Sequence, residues 1–472
     1  MKNLGDLIDT TKDLNKVAVI YENTSYTYKQ LDTLINSISA GLVARGIQQG
    51  DRIAIVASNS VNFIATYLGI LKIGAVAVLI NCKLPSIQLD YIFNDSNPKL
   101  IFTDKELTTA LPVVHFDAID KFLSNDIVPT VDPDETDPAF MLYTSGSTSF
   151  PKGVIVPHKH KWLVDLRTIG GRAHLGRTLV SAPCYHMNGL YNAELSIAGY
   201  GTLILMPQFD VASSLELIKR YKVNVLSGVP PMLAMMLDKS QSPKKEDLES
   251  VAVIRMSSAP VSQNLYNKIK EYFPTAELFV AYGITEVGPG VFGKHPDGVV
   301  TPELSVGYPL EGIDYRLVDG VLQVRSPAMM LKYNSGSTDA FTEDGYFITN
   351  DIFKVDQEGF YYFVGRADDM FVSGGNNIYP RQIEEVIETH PAVVSSAVFG
   401  VEDPLKGTKP YAFAVLDSKI TEEELIAYLR TQLAPSHIPR RIWLIDQMPM
   451  IGSNKIDKSE LKERALILIR GY

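Results

Sequence analysis

Four stretches of this 472-residue chain carry residue types suited to phosphate and carboxylate chemistry. The densest is Tyr143-Thr144-Ser145-Gly146-Ser147-Thr148-Ser149-Phe150-Pro151-Lys152-Gly153, which packs five Ser and Thr hydroxyls, two glycines and a lysine into eleven residues. Backbone N–H groups freed by glycine, hydroxyl donors and an ammonium can surround an anion, and glycine lets the chain approach it closely. The spacing is not that of a P-loop, because Lys152 precedes the second glycine; taken alone, the stretch also fits an ordinary Ser/Thr/Gly turn. In Tyr282-Gly283-Ile284-Thr285-Glu286 an aromatic ring can stack on a base, Thr285 can donate to phosphate and Glu286 can hold a hard cation. Thr349-Asn350-Asp351 followed by Gly365-Arg366 offers a carboxylate for a ribose diol and a guanidinium for ribose or phosphate oxygens. Gly452-Ser453-Asn454-Lys455 places a lysine on a turn near the C-terminus. Each is weak alone, and the order in which they occur carries the argument.

These groups need a scaffold. Apolar positions Leu31, Leu34, Ile35, Ile38, Leu42 and Val43 follow helical spacing from Tyr28 to Arg45, with Gly46 where the helix stops. Then 51–56 reads as a buried strand, 62–71 as helix, 75–80 as strand, 87–93 as helix and 100–103 as strand. The alternation resumes with strands at 178–182, 223–228 and 251–257 and a helix at 211–221, which predicts parallel sheets covered by helices. From about Gly312 short β-like pieces (315–318, 320–325, 359–364) predict a small sheet or barrel. After Arg366 the pattern becomes α+β: helix 383–389, strands 393–400 and 411–416, and an acid-capped helix over 421–433. The charged junction predicts a short hinge between a body at 1–367 and a lid at 368–472.

Composition narrows the class. With 46% hydrophobic residues the chain can fill more than one core, and its formal charge of −10 with no basic run argues against nucleic-acid binding. Cys82 and Cys184 are its two cysteines and form no CxxC, which favours a reducing cytoplasm over a disulfide or zinc framework. The N-terminus lacks signal-peptide character, and Phe63–Ile80 reads as helix then strand, not as a membrane span. His158 and His160 are expected on a solvated loop.

In order and spacing the four stretches resemble the adenylate-forming superfamily of acyl-CoA synthetases, amino-acid-activating domains and luciferases, over nearly the whole chain. The most specific parts are 143–153, 282–286 and Gly365-Arg366-Ala367-Asp368-Asp369-Met370 through Ser373-Gly374-Gly375-Asn376-Asn377-Ile378-Tyr379-Pro380. The resemblance implies an α/β fold: a large N-terminal domain of two α/β subdomains plus a small distorted β-barrel, and a small mobile α+β C-terminal domain. It implies ATP, Mg2+ and CoA, or a phosphopantetheinyl carrier protein, as reactants and cofactors. Thr144, Ser145, Gly146, Ser147, Thr148 and Lys152 would hold phosphates; Ser258, Ala259, Pro260, Tyr282, Gly283 and Thr285 would border the nucleotide; Asp351 and Arg366 would meet the ribose. Glu286 with Thr144 would position magnesium, and Lys455 would bridge the acid and the α-phosphate. Asp368 is the implied hinge, Gly374 and Gly375 the pantetheine channel, and His186 a gate or carboxylate contact beside the acyl group.

The pattern is broken at Ser149, Asn350, Asn454 and Ser257-Ser258, where relatives carry glycine; asparagine enters the left-handed region readily, serine less so. Met187, Asn188, Val229, Met232 and Met236 suggest an apolar acyl pocket with a polar spot. The leading expectation is an acyl- or aryl-CoA ligase acting on a small carboxylic acid, as monomer or homodimer. The alternatives are a stand-alone enzyme loading a carrier-protein thiol and a nucleotide-binding pseudoenzyme.

Overall fold

The computed structural model describes residues 3–144, 151–168, 176–238, 241, 243–373, 376–403, 407–451 and 455–470, without the side chains of 403, 407 and 470. The expected site residues Ser145, Gly146, Ser147, Thr148, Gly374 and Gly375, and the glycine replacements Ser149 and Asn454, lie outside the described residues.

Two seven-stranded sheets form the body. In the first, Val76–Ile80 is buried at every position and sits between Arg52–Val56 and Pro138–Thr144, all parallel. An uninterrupted apolar run is what a strand covered on both faces requires. The helix Val61–Lys72 runs between Arg52–Val56 and Val76–Ile80 in the chain; Ser60 accepts the Phe63 N–H to start it. Tyr28–Ala44 begins in a reciprocal capping box between Thr27 and Gln30, which satisfies two N–H groups at its first turn. The second sheet places Val225–Gly228 between Arg177–Val180 and Val253–Met256, again parallel. This is the strand–helix alternation that the sequence predicts, with strand ends shifted by one to two residues.

A four-stranded antiparallel sheet follows in the order Asp314–Val318, Val321–Arg325, Phe347–Val355, Tyr361–Arg366. Phe347–Val355, which carries Asp351, is the strand that periodicity passed over. Its burial alternates regularly, but two of its inward positions are Thr349 and Asp351, so the buried face carries no continuous apolar signal; exposed Asn350 between them takes φ 58°. The C-terminal unit pairs Val393–Asp403 antiparallel with Gly407–Leu416 and adds Ile442–Leu444 in parallel. Helices Pro380–Ile387, Glu422–Arg430 and Lys458–Arg470 accompany that sheet. The unit rests on the body through Asn264 Nδ2 donating to His390 O at 3.2 Å and Arg381 Nη2 donating to Val261 O at 3.5 Å.

One expectation is overturned. His158 and His160 are fully buried in a short 3-10 turn, not solvated: His158 Nδ1 accepts the Leu4 N–H at 3.1 Å, and His160 Nε2 lies 3.3 Å from Glu194 Oε2. Local polarity suggested a surface loop, but Tyr67 and Glu194 supply a polar interior for His160, with the Tyr67 hydroxyl donating to Glu194 at 2.6 Å.

Candidate active site

Antiparallel pairing of Pro138–Thr144 with Lys152–Pro157 sets Thr144 directly opposite Lys152, the two described ends of the expected phosphate loop. Lys152 Nζ stands 5.5 Å from the centre of the Tyr333 ring. Tyr333 pairs with Val154 from the short strand Lys332–Tyr333, and its hydroxyl donates to Glu286 Oε1 at 3.1 Å. Tyr333 thus connects the phosphate loop to the carboxylate proposed to hold a cation, a link with no signal in the sequence. Glu286 sits in a tight turn bridged by Ile284 and Gly288, and its own carbonyl accepts from Met330 N–H at 2.8 Å. Gly283 permits that turn, since a Cβ there would lie 2.4 Å from Gly288 O. Thr285 occupies the same turn. Burial raises the proton affinity of Glu286, only partly offset by the Tyr333 hydrogen bond and the charges of Arg366 and Lys455. A half-buried carboxylate that is under-compensated in the free protein is a fitting hard-oxygen ligand for magnesium.

Asp351 and Arg366 face each other across the antiparallel pair of the small sheet. Asp351 is 3% exposed; it accepts from the Tyr282 hydroxyl at 2.6 Å and lies 3.3 Å from Arg366 Nη1. Tyr282 therefore has its hydroxyl committed to Asp351, while its ring meets Phe353 edge-on at 4.9 Å. Arg366 also forks onto Asp368, Nε and Nη2 each 2.9 Å from a carboxylate oxygen, which ties the expected hinge residue to the site. That hydrogen bonding, with the charge of Asp351, holds the guanidinium proton more firmly than usual.

Burial lifts the Asp351 carboxyl to about 6, against the opposing pull of Arg366 and Tyr282. If Asp351 must be ionised to accept a ribose diol, kcat/KM for ATP in the free enzyme should fall as pH drops through about 6. A profile for ATP that stays flat across that value would contradict this. The sign for stability is opposite. The folded state holds this proton over the window from an ordinary aspartate value up to about 6, so this group makes the empty fold less stable as pH rises through that window.

Lys455 reaches the same centre from the C-terminal unit. Its charge is felt by Glu286, Asp351 and His186, and the charge of Arg366 is felt by Lys455. Burial lowers its proton affinity, as does Arg366, while Asp351 and Glu286 sustain it. Lys455 is nevertheless an exposed residue, so water also reaches it and tempers that desolvation.

His186 precedes the helix Met187–Ala198. The sharp entry depends on Gly189, where a Cβ would lie 2.3 Å from Pro183 O and 2.4 Å from Ala182 O. Burial first, and Lys455 second, depress the imidazole to about 4, so it is neutral at physiological pH. Its Nε2 has no hydrogen-bond partner among the described residues. Met187, Val229 and Met232 are buried, as expected of pocket walls, and Asn188 is half-buried. Ser258 adopts φ 69°, the left-handed region in which glycine is at ease and serine is not, and Ala259 and Pro260 continue that loop. Strand pairing, contacts and mutual electrostatic influence thus link Thr144, Lys152, Glu286, Asp351, Arg366, Lys455 and His186 into one connected set. The structure adds Tyr333, and it adds Arg255 beside Asn188; an arginine within the apolar strand Val253–Met256 was a legible signal for the latter.

Residues 9–333 match the AMP-binding enzyme family and 382–455 the AMP-binding enzyme C-terminal domain. The chain is 30% identical over 470 residues to a 2-succinylbenzoate–CoA ligase of Bacillus velezensis, covering 95% of each chain. It is 31% identical over 477 residues to a feruloyl-CoA synthase of Amycolatopsis, again covering 95% of each. Among solved structures it is similar to the o-succinylbenzoate CoA synthetase of Bacillus subtilis in complex with its acyl-adenylate intermediate, with a TM-score of 0.82, 27% identity and 95% coverage of both chains.

Proposed function

From the premise that this chain belongs to the AMP-binding enzyme family, we propose how its residues divide the labour of an AMP-forming carboxylic acid–CoA ligase. The enzyme activates a carboxylic acid with ATP as an acyl-adenylate and then transfers the acyl group to the thiol of CoA. In the first step a carboxylate oxygen attacks the α-phosphorus and pyrophosphate leaves. The obstacle is an anion approaching a polyanion, so fixed positive charge and donors are what the site must supply.

The observation that carries the assignment is the convergence of Lys455, from the C-terminal unit, with Glu286, Asp351 and Arg366 of the body. Lys455 bridges the acid and the α-phosphate. Thr144, Lys152 and the residues between them hold phosphates, and Asp351 with Arg366 holds the ribose. Glu286, with Thr144, would hold magnesium, whose charge would neutralise that of the phosphates. Neutral His186 donates to or gates the incoming carboxylate without adding charge.

In the second step the sulfur of CoA attacks the acyl carbon and AMP leaves. We take 1–367 as the body and 368–472 as the lid, turning at Asp368. Its fork with Arg366 is an interaction that turning must rearrange. If Gly374 and Gly375 line the channel for the thiol arm, Gly375→Leu accumulates adenylate and loses thioester; unchanged thioester yield would refute that assignment. Cys82 and Cys184 are both unpaired and buried, in keeping with a reducing cytoplasm.

Pyrophosphate release over aryl, short-chain, medium-chain and amino acids, with and without CoA and with mass detection of thioester, tests the reading. CoA-dependent thioester supports it. Adenylate without transfer to CoA would turn attention to a carrier-protein thiol, and inactivity despite ATP binding would overturn it.

A further inference from the structure

Behind His186 the chain buries a polar cluster that apolar packing does not explain. Asn192 donates through Nδ2 to the Asn188 backbone oxygen at 2.8 Å and to Asn188 Oδ1 at 2.9 Å. A backbone carbonyl can only accept, so the Asn192 amide is fixed, and with it the Asn188 amide. Asn188 Oδ1 also accepts from Ser227 Oγ at 3.2 Å, which leaves Asn188 Nδ2 as a donor. Ser227 pairs with Arg255 on the neighbouring parallel strand, so the two side chains leave the same face of the sheet, toward Asn188. Among the described residues, Arg255 Nη1 and Asn188 Nδ2 are shielded from solvent and have no hydrogen-bond partner.

The charge around this pair is also unbalanced. The titratable groups close enough to act on Arg255 are Tyr191, a phenol, and Arg167, a second cation. Arg167 is itself anchored on backbone oxygens, donating to Gly290 O at 3.2 Å and Phe292 O at 2.7 Å. A shielded guanidinium without a carboxylate is costly unless a ligand supplies one. Arg255 as a residue is half-buried, so part of it remains reachable. Asn188 follows His186 by two positions at the same helix start, so its amide lies within roughly 5–10 Å of the imidazole.

We propose that Arg255 and Asn188 form a subsite for a second carboxylate, and that the acids this enzyme activates are dicarboxylic acids. One carboxylate meets ATP beside His186 and Lys455, and the other is read by Arg255 Nη1 and Asn188 Nδ2. The inference rests on the carboxylic acid–CoA ligase reading and adds the substrate class to it. It also explains why a strand of otherwise apolar residues carries arginine on the face that Ser227 turns toward Asn188.

The test compares diacids with their monomethyl esters, which keep shape and the reacting carboxylate but lose the distal charge. Succinate, glutarate, adipate and the three benzenedicarboxylates are assayed with ATP, magnesium and CoA, and binding is titrated calorimetrically in the presence of a non-hydrolysable ATP analogue. At least one diacid should exceed its half-ester in kcat/KM and in affinity by about ten- to a hundredfold, because a site built to pair a charged group rejects its absence strongly. Arg255→Met, which removes an uncompensated buried charge at similar length, should bring that ratio toward one. Should that variant not accumulate as folded protein, Asn188→Leu and the wild-type ratio decide. The subsite is overturned if no diacid outranks its half-ester in turnover or binding, or if Arg255→Met leaves the ratio intact. Inactivity with every acid would count against the ligase reading, while the binding titration still decides the subsite.

Discussion

Lys455→Ala is expected to reduce acyl-adenylate formation by about two to three orders of magnitude, the usual cost of one preorganised electrostatic contact to a developing transition state. The reason is geometric. Lys455 is the cation that the C-terminal unit brings to Glu286, Asp351 and Arg366, and its charge reaches His186 as well. Arg366 cannot substitute, since its guanidinium is divided between Asp351 and Asp368. Thioester formation from supplied acyl-adenylate should be largely retained, because that step needs no approach of an anion to a polyphosphate. Pyrophosphate exchange measured beside thioester yield separates the two, and equal loss in both assays would remove Lys455 from the adenylation step.

Glu286→Gln should produce the second large effect, a fall of about a hundredfold in adenylation with the magnesium dependence displaced to higher concentration. The residue is half-buried and desolvation raises its proton affinity, so its charged form is a burden on the empty fold. Glutamine keeps the shape and an acceptor for the Tyr333 hydroxyl while removing the charge. Melting temperature without ligand should therefore hold or rise near neutral pH while activity falls. That divergence distinguishes a ligand-holding role from a structural one; parallel loss of stability and activity would refute it.

Much of the site was legible because phosphate chemistry needs particular residue types in a particular order along the chain. The pairing of Thr144 with Lys152 follows from a loop that must return, and a glycine-like conformation at Asn350 follows from asparagine's tolerance of positive φ. Ser258 goes further, holding φ 69° where serine is penalised by about 1 kcal/mol, which sequence alone marked only as a missing glycine. His158 and His160 were misread because a polar pair beside Lys159 and Lys161 looks solvated until Leu4 and Glu194, distant in sequence, close over it.

The sequence by itself determined the parallel α/β body, the change to antiparallel strands after Gly312, the α+β pattern of the C-terminal residues and which charged residues are candidates for the site. These rest on short-range periodicity and on side-chain chemistry, which a chain carries wherever it folds. Only the tertiary structure decided that Tyr333 joins Lys152 to Glu286, that Asp351 is buried enough to bind its proton near pH 6, and that Arg255 Nη1 and Asn188 Nδ2 lie shielded without hydrogen-bond partners among the described residues. Hydrogen bonding and desolvation between residues tens to hundreds of positions apart are set by how sheets and helices pack, and no local pattern encodes them.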